Sequence, residues 1–158
     1  MNARAVINSR ARCLALAGAL ALAGCGGSSS SPLTQAQLVS KVNGACTAYN
    51  AAVRGLSPPS DVTTNPDAAA RYLDKLKEPV HAEYDKIRAL AATGAVKHDF
   101  DRFVLASKYQ LGLFTDADAK AHAHNAGFLI DLEHATRYKH RVLARRERQL
   151  GFTSCLSS

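Results

Sequence analysis

The sequence predicts an all-α domain, an up-down bundle of three to four helices with one disulfide, preceded by a signal peptide and a Gly/Ser linker. Three observations carry this reading. Apolar residues recur at spacings of three and four through most of residues 33–150, and no run alternates with a period of two. Gly, Pro and capping residues cut that stretch into segments joined by short loops. Two cysteines, Cys46 and Cys155, sit near its opposite ends.

The chain opens with Arg4, Arg10 and Arg12, followed by an uncharged apolar run from Cys13 to Ala23. That run is the length of a signal-peptide core and falls short of the ~20 residues of a membrane span. Residues 1–24 are therefore expected to leave during export. Gly26 to Ser31 is a flexible linker, and residues 25–32 should lift the folded part off its anchor.

The first helix is expected from about Thr34 to Arg54. Leu38, Val42, Ala45, Tyr49, Ala52 and Leu56 form its stripe, with Val39, Cys46 and Val53 along the edge. Gly55 is a C-terminal stop. Pro58 and Pro59 keep the next ten residues in a loop. Asn65 or Thr64 then caps a second helix that runs from Pro66 to about Ala92. Leu73, Leu76, Val80, Tyr84, Ile87 and Ala91 are its stripe, and Pro79 removes one hydrogen bond inside it.

A third helix should begin near His98 or Asp99 and end near Gly112 or Thr115. Its face carries Phe100, Phe103, Val104, Ser107, Leu111 and Phe114, and Thr115 with Asp118 suggests a capping box for a fourth. Asp116 to Gln149 as one helix would span ~51 Å, so a bend is expected at Asn125-Ala126-Gly127. Phe128, Leu132, Ala135, Val142 and Leu150 are the expected core face there. Gly151 ends this helix, and the tail returns Cys155 to Cys46. An even pair of cysteines in an exported chain favours a bridge over two buried thiols.

Removing residues 1–24 takes away three of 20 basic residues and none of the 13 acids, so the net charge falls from +7 to +4. That mild balance suits anionic headgroups or wall polymers better than nucleic acid. Leu22-Ala23-Gly24-Cys25 resembles the lipobox of bacterial lipoproteins, in which the chain is cut before the cysteine and lipid is attached to its thiol. The wider layout is similar to small lipoproteins of high-GC Gram-positive bacteria. The shared features are Gly-Gly-Ser-Ser after the lipobox, a first helix opening with Leu33-Thr34-Gln35 and carrying Cys46 before Asn50, Pro79 within a Leu-rich second helix, and Leu150-Gly151-Phe152 followed by Cys155. The resemblance implies lipid on Cys25, a position on the outer face of the cell membrane, a helical fold and a Cys46–Cys155 bridge. It carries across no catalytic residue.

Candidate sites are few. Glu78-x-x-His81 and Asp131-x-x-His134 have the spacing of di-iron bundle ligands. However, at ~100° per residue they point away from the core stripes, and the first helix offers no carboxylate. His81-x-Glu83 lacks the cysteine pair of zinc deaminases. His122 and His124, with Asp118 and Asp116 nearby, could hold Zn or Cu if the chain breaks at Asn125, although residues two apart do not share a helix face. Arg137, Arg141, Arg145 and Arg148 line one side of the last helix, where they form either an ordinary solvated face or a contact for phosphate or carboxylate groups. Lys139 and Arg146 fall on the apolar side and are expected to snorkel outward, unless the helix end projects beyond the bundle.

With no nucleophile motif and no cofactor box, the sequence points to a non-enzymatic binding or interaction module in the cell envelope. Its expected partners are the membrane, through Cys25, and an envelope protein or anionic ligand. No cofactor and no nucleic acid are expected. A metal-binding lipoprotein using the His-rich C-terminal third is the alternative.

Overall fold

A computed structural model describes residues 32–157. The expected signal segment 1–24, Cys25 as the expected lipid site, and all but the last residue of the expected linker lie outside the described residues. Four helical arms succeed one another, each packed on the next: α1 (Gln35–Val53), α2 (Pro66–Arg88), α3 (Val96–His122), and a last arm built of α4 (Phe128–Tyr138), a π-helical turn (Lys139–Leu143) and α5 (Ala144–Leu150). A short 3-10 turn (Thr153–Ser157) closes the chain against α1. No helix among the described residues is long and apolar enough to cross a membrane.

Local signals set the first two arms. Thr34 caps α1 through a reciprocal capping box with Gln37. Asn65 Oδ1 accepts from Ala68 N at 3.2 Å, with Pro66 in the first turn of α2. α2 runs unbroken through Pro79 and ends at Arg88, short of Ala92. Beyond α2, Leu33 pairs with the α2–α3 connection: its N donates to Ala91 O at 2.7 Å and its O accepts from Thr93 N at 3.3 Å. The chain's entry to the domain is thus fixed to one end of the bundle.

The boundary between the third and fourth arms differs from expectation. α3 does not stop at Gly112 or Thr115 but continues to His122. Thr115 is no cap: its hydroxyl donates to Leu111 O at 2.9 Å, the back-bonding that lets a threonine sit inside a helix. Burial of Phe114, Ala117 and Ala121 holds these extra turns in place. The break falls instead where Asn125-Ala126-Gly127 was expected to bend the chain. His124 takes a left-handed backbone (φ 51°), and Asn125 N reaches back to Lys120 O at 2.9 Å. Gly127 N donates to Asn125 Oδ1 at 2.8 Å, and a Cβ on Gly127 would meet that same oxygen at 3.0 Å.

The last arm holds a second correction. The π turn fits one extra residue into the helix and rotates the residues after it. The core position is therefore Leu143 rather than Val142, and the buried face continues through Glu147 to Leu150. Gly151, at φ 81°, ends the arm as expected, with Phe152 N on Glu147 O at 2.8 Å. Cys155 then meets Cys46 in a disulfide with Cα atoms 5.0 Å apart. Two hydrogen bonds hold the same junction: Asn50 Nδ2 to Ser154 O at 2.9 Å, and Ser154 N to Asn43 Oδ1 at 3.0 Å.

The apolar interior is divided in two. One cluster, around Leu38, Val42, Phe100, Phe103, Leu150 and Phe152, includes the disulfide. The other, around Ala69, Leu73, Phe114, Ala117 and Phe128, lies at the α3–α4 corner. Between them the arms do not close completely.

Candidate functional site

The gap between the two clusters is a cleft of about 410 Å³, within the ordinary size range of small-molecule sites. All four arms contribute. Leu76, Val80 and Tyr84 of α2 are only half-buried because their core stripe faces this space. Leu111 of α3 and Leu132 of α4 face it from the other side, and Tyr49 and Tyr72 add aromatic wall.

Ser107, Gln110, Thr136 and His140 add polar groups to the lining, and the charged Glu83, Lys139 and Glu147 gather beside the disulfide. Glu147 is 2% exposed. Its Oε1 accepts from Lys139 Nζ at 2.9 Å, and Lys139 also donates to Cys155 O at 3.1 Å. Oε2 of Glu147 has no protein partner. Glu83 enters from α2, its carboxylate within 4.8 Å of both disulfide sulfurs. Because those sulfurs are bonded to each other, Cys46, Glu83 and Cys155 offer no thiolate for a metal.

Burial shapes the charge state. Glu83 is pushed up from 4.5 to about 7, chiefly by desolvation and further by Glu147, with Lys139 acting in the opposite direction. Desolvation also raises the Glu147 carboxyl, again opposed by Lys139. The Tyr49 hydroxyl is pushed up to about 12 by burial, with Glu83 and Tyr72 adding to the rise, so it stays a hydrogen-bond donor at neutral pH. One lysine thus faces two carboxyl groups.

Sequence reasoning missed these carboxylates, yet both sit at core spacing. Glu83 lies between Val80 and Ile87, and Glu147 between Leu143 and Leu150. For Glu83 a charge in phase with an apolar stripe was the available signal, whereas Glu147 comes into the core phase only through the π turn, because the expected stripe ran through Val142. Lys139 shares that phase but was expected to snorkel outward; it turns inward because Glu147 and a backbone carbonyl meet its ammonium group. Arg146 is half-buried between two surface grooves, its Nε without a hydrogen-bond partner.

The other expected residues are dispersed. Arg137, Arg141, Arg145 and Arg148 are all exposed. Arg137 pairs with Glu133, whereas Arg141 and Arg145 border a shallow groove shared with Arg102 and Asp99. The expected His122–His124–Asp118 set is only partly assembled. His122 Nε2 lies 3.5 Å from Asp118 Oδ1 and 3.1 Å from Asp74 Oδ1. His124, at the break, faces Asp67 instead at 3.4 Å, because a residue two positions on from His122 does not share its face. Asp116 borders a groove with Tyr109 and Tyr138. Asp131 pairs with Lys120 at 2.5 Å, and His134 and Glu78 are exposed.

Comparison of the chain with protein-family models, curated proteins and solved structures finds no match.

Proposed function

We propose that this chain is an exported, lipid-anchored binding module of the bacterial cell envelope, without catalytic activity, and that the cleft is its ligand site. The observation that carries the reading is the buried Glu147 carboxylate, which lines a cleft of ligand size and keeps one oxygen, itself sealed from solvent, without a protein partner. A buried acceptor left open costs roughly 1–3 kcal/mol, and a ligand donor would recover it. With two acids against one lysine, the fitting ligand has an apolar body and a protonated amine. Anchoring rests on the residues before the domain: lipid on Cys25, followed by the Gly/Ser linker, would hold the Leu33 end of the bundle towards the membrane. The exposed arginines of the last arm would then be available to an anionic envelope partner.

An isosteric series tests the cleft. Cyclohexylmethylamine, cyclohexylmethanol and cyclohexanecarboxylate are titrated at pH 8, with tyrosine fluorescence as the readout, since the chain has five tyrosines and no tryptophan. The amine should bind tightest, and Glu147→Gln should weaken the amine about tenfold while sparing the alcohol. No saturable change with any of the three, or a preference for the carboxylate, refutes the reading. Cys25→Ser should release the protein from the membrane fraction. Charge reversal of Arg137, Arg141 and Arg145 that leaves partner pull-down unchanged would remove the arginine contact.

A further inference from the structure

At the opposite end of the bundle from Leu33, α2 and the last turns of α3 bring three donor groups together. A carboxylate oxygen from each of Asp74 and Asp118 and a ring nitrogen of His122 lie within 4.8 Å of one another. Asp118 is 4% exposed, and its Oδ1 has no hydrogen-bond partner. The other oxygen, Oδ2, accepts from Lys77 Nζ at 2.9 Å. The carboxylate is thus held by the lysine on one side and presents a bare buried oxygen to the imidazole on the other. His122 and Asp74 are each about half exposed, at 51% and 49%, which leaves an open approach.

We propose that Asp74, Asp118 and His122 form a binding site for a divalent first-row transition ion. The spacing supports it. Donors bound at ~2.0–2.2 Å to one ion stand roughly 3.0–3.5 Å apart, and the imidazole nitrogen lies 3.1 and 3.5 Å from the two carboxylate oxygens. A single imidazole nitrogen cannot satisfy two carboxylate oxygens with one proton, but an ion in its place engages all three groups. One nitrogen and two oxygen donors suit Zn²⁺ and its first-row neighbours, with water completing the shell on the exposed side. Lys77 serves as the outer partner that orients the Asp118 carboxylate. The site is separate from the cleft and does not depend on ligand binding there.

The test is titration calorimetry with zinc chloride on the full chain in detergent. Cys13→Ser and Cys25→Ser are present throughout, so that no free thiol competes. The expected result is one zinc per chain, weakened at least ~10-fold by Asp74→Asn and by His122→Ala. Both residues are half exposed, so helical circular dichroism should be unchanged in these variants. His124→Ala, which alters a neighbouring exposed histidine outside the site, should leave the affinity within about twofold. Absence of saturable zinc binding overturns the proposal. So does binding that survives both substitutions, or binding that His124→Ala weakens as much as His122→Ala does.

Discussion

Neutralising Glu83 should remove much of the protein's loss of stability between acid and neutral pH. In the folded state its carboxyl titrates at about 7, against an ordinary 4.5. The folded chain therefore holds this proton more tightly than the unfolded chain does. Below pH 4.5 both states are protonated and the group is neutral to stability; as pH rises towards 7 the unfolded state ionises first, and folding weakens. Each pH unit between the two values is worth ~1.36 kcal/mol, which sets a ceiling of roughly 3 kcal/mol. Glu83 retains some solvent contact, so about 2 kcal/mol is the expected size. Glu147, also raised, adds a slope of the same sign. Urea unfolding at intervals from pH 4.5 to 8, with the disulfide intact, measures the effect. Glu83→Gln should match the wild type at pH 4.5, exceed it by about 2 kcal/mol at pH 8, and show a flatter profile between. Parallel profiles for the two proteins would mean that Glu83 is not desolvated when folded, and the acidic character assigned to the cleft would fall with it.

The same region carries two further tests. Lys139→Met should cost up to ~3 kcal/mol at pH 8, because it leaves the buried Glu147 without its cation, whereas Glu147→Leu should cost less, since Lys139 is 20% exposed and can turn to solvent. The double variant should recover most of the loss in urea unfolding, and strict additivity would show that the pair is not coupled. Replacing Cys46 and Cys155 by Ala removes a link across 109 residues, with a ceiling of ~4–5 kcal/mol from loop closure. A measured loss below ~1 kcal/mol would show that the tail is held to α1 mainly by its Asn43 and Asn50 contacts.

The helices were readable wherever one local signal acted alone. Asn65-Pro66 fixed the start of α2, Gly151 the end of the last arm, and the 3.6-residue stripes of α1 and α2 named Leu38, Val42, Leu73 and Ile87 correctly as core. The errors arose where tertiary packing overrode such a signal. Gly112 and Thr115 have the composition of a helix end, but Phe114, Ala117 and Ala121 are buried against α2 and α4 and carry α3 onward. The disulfide could be read from cysteine arithmetic and the cleft could not, because half-buried Leu76, Val80 and Tyr84 repeat with the same period as fully buried residues. Asp74 escaped notice as a partner of His122 because the two are 48 positions apart and meet only through the α2–α3 packing.

The π turn connects the least readable part of the chain to its proposed use. A regular α-helix from Phe128 to Leu150 would keep Val142 in the core phase and carry Glu147 towards the surface. One extra residue in the turn at Lys139–Leu143 instead brings Leu143 and Glu147 inward and sets Lys139 across from the latter. The turn gives up regular hydrogen bonding, and the face it creates buries two charges, so neither change favours stability by itself. Local departures that cost stability persist where the surrounding fold constrains them and function uses them. Here the constraint is visible: Cys155 O receives the second hydrogen bond of Lys139, and the disulfide holds that carbonyl in place. The bridge that stabilises the bundle therefore also positions the cation beside one oxygen of Glu147, while the other oxygen of this cleft-lining carboxylate keeps no protein partner.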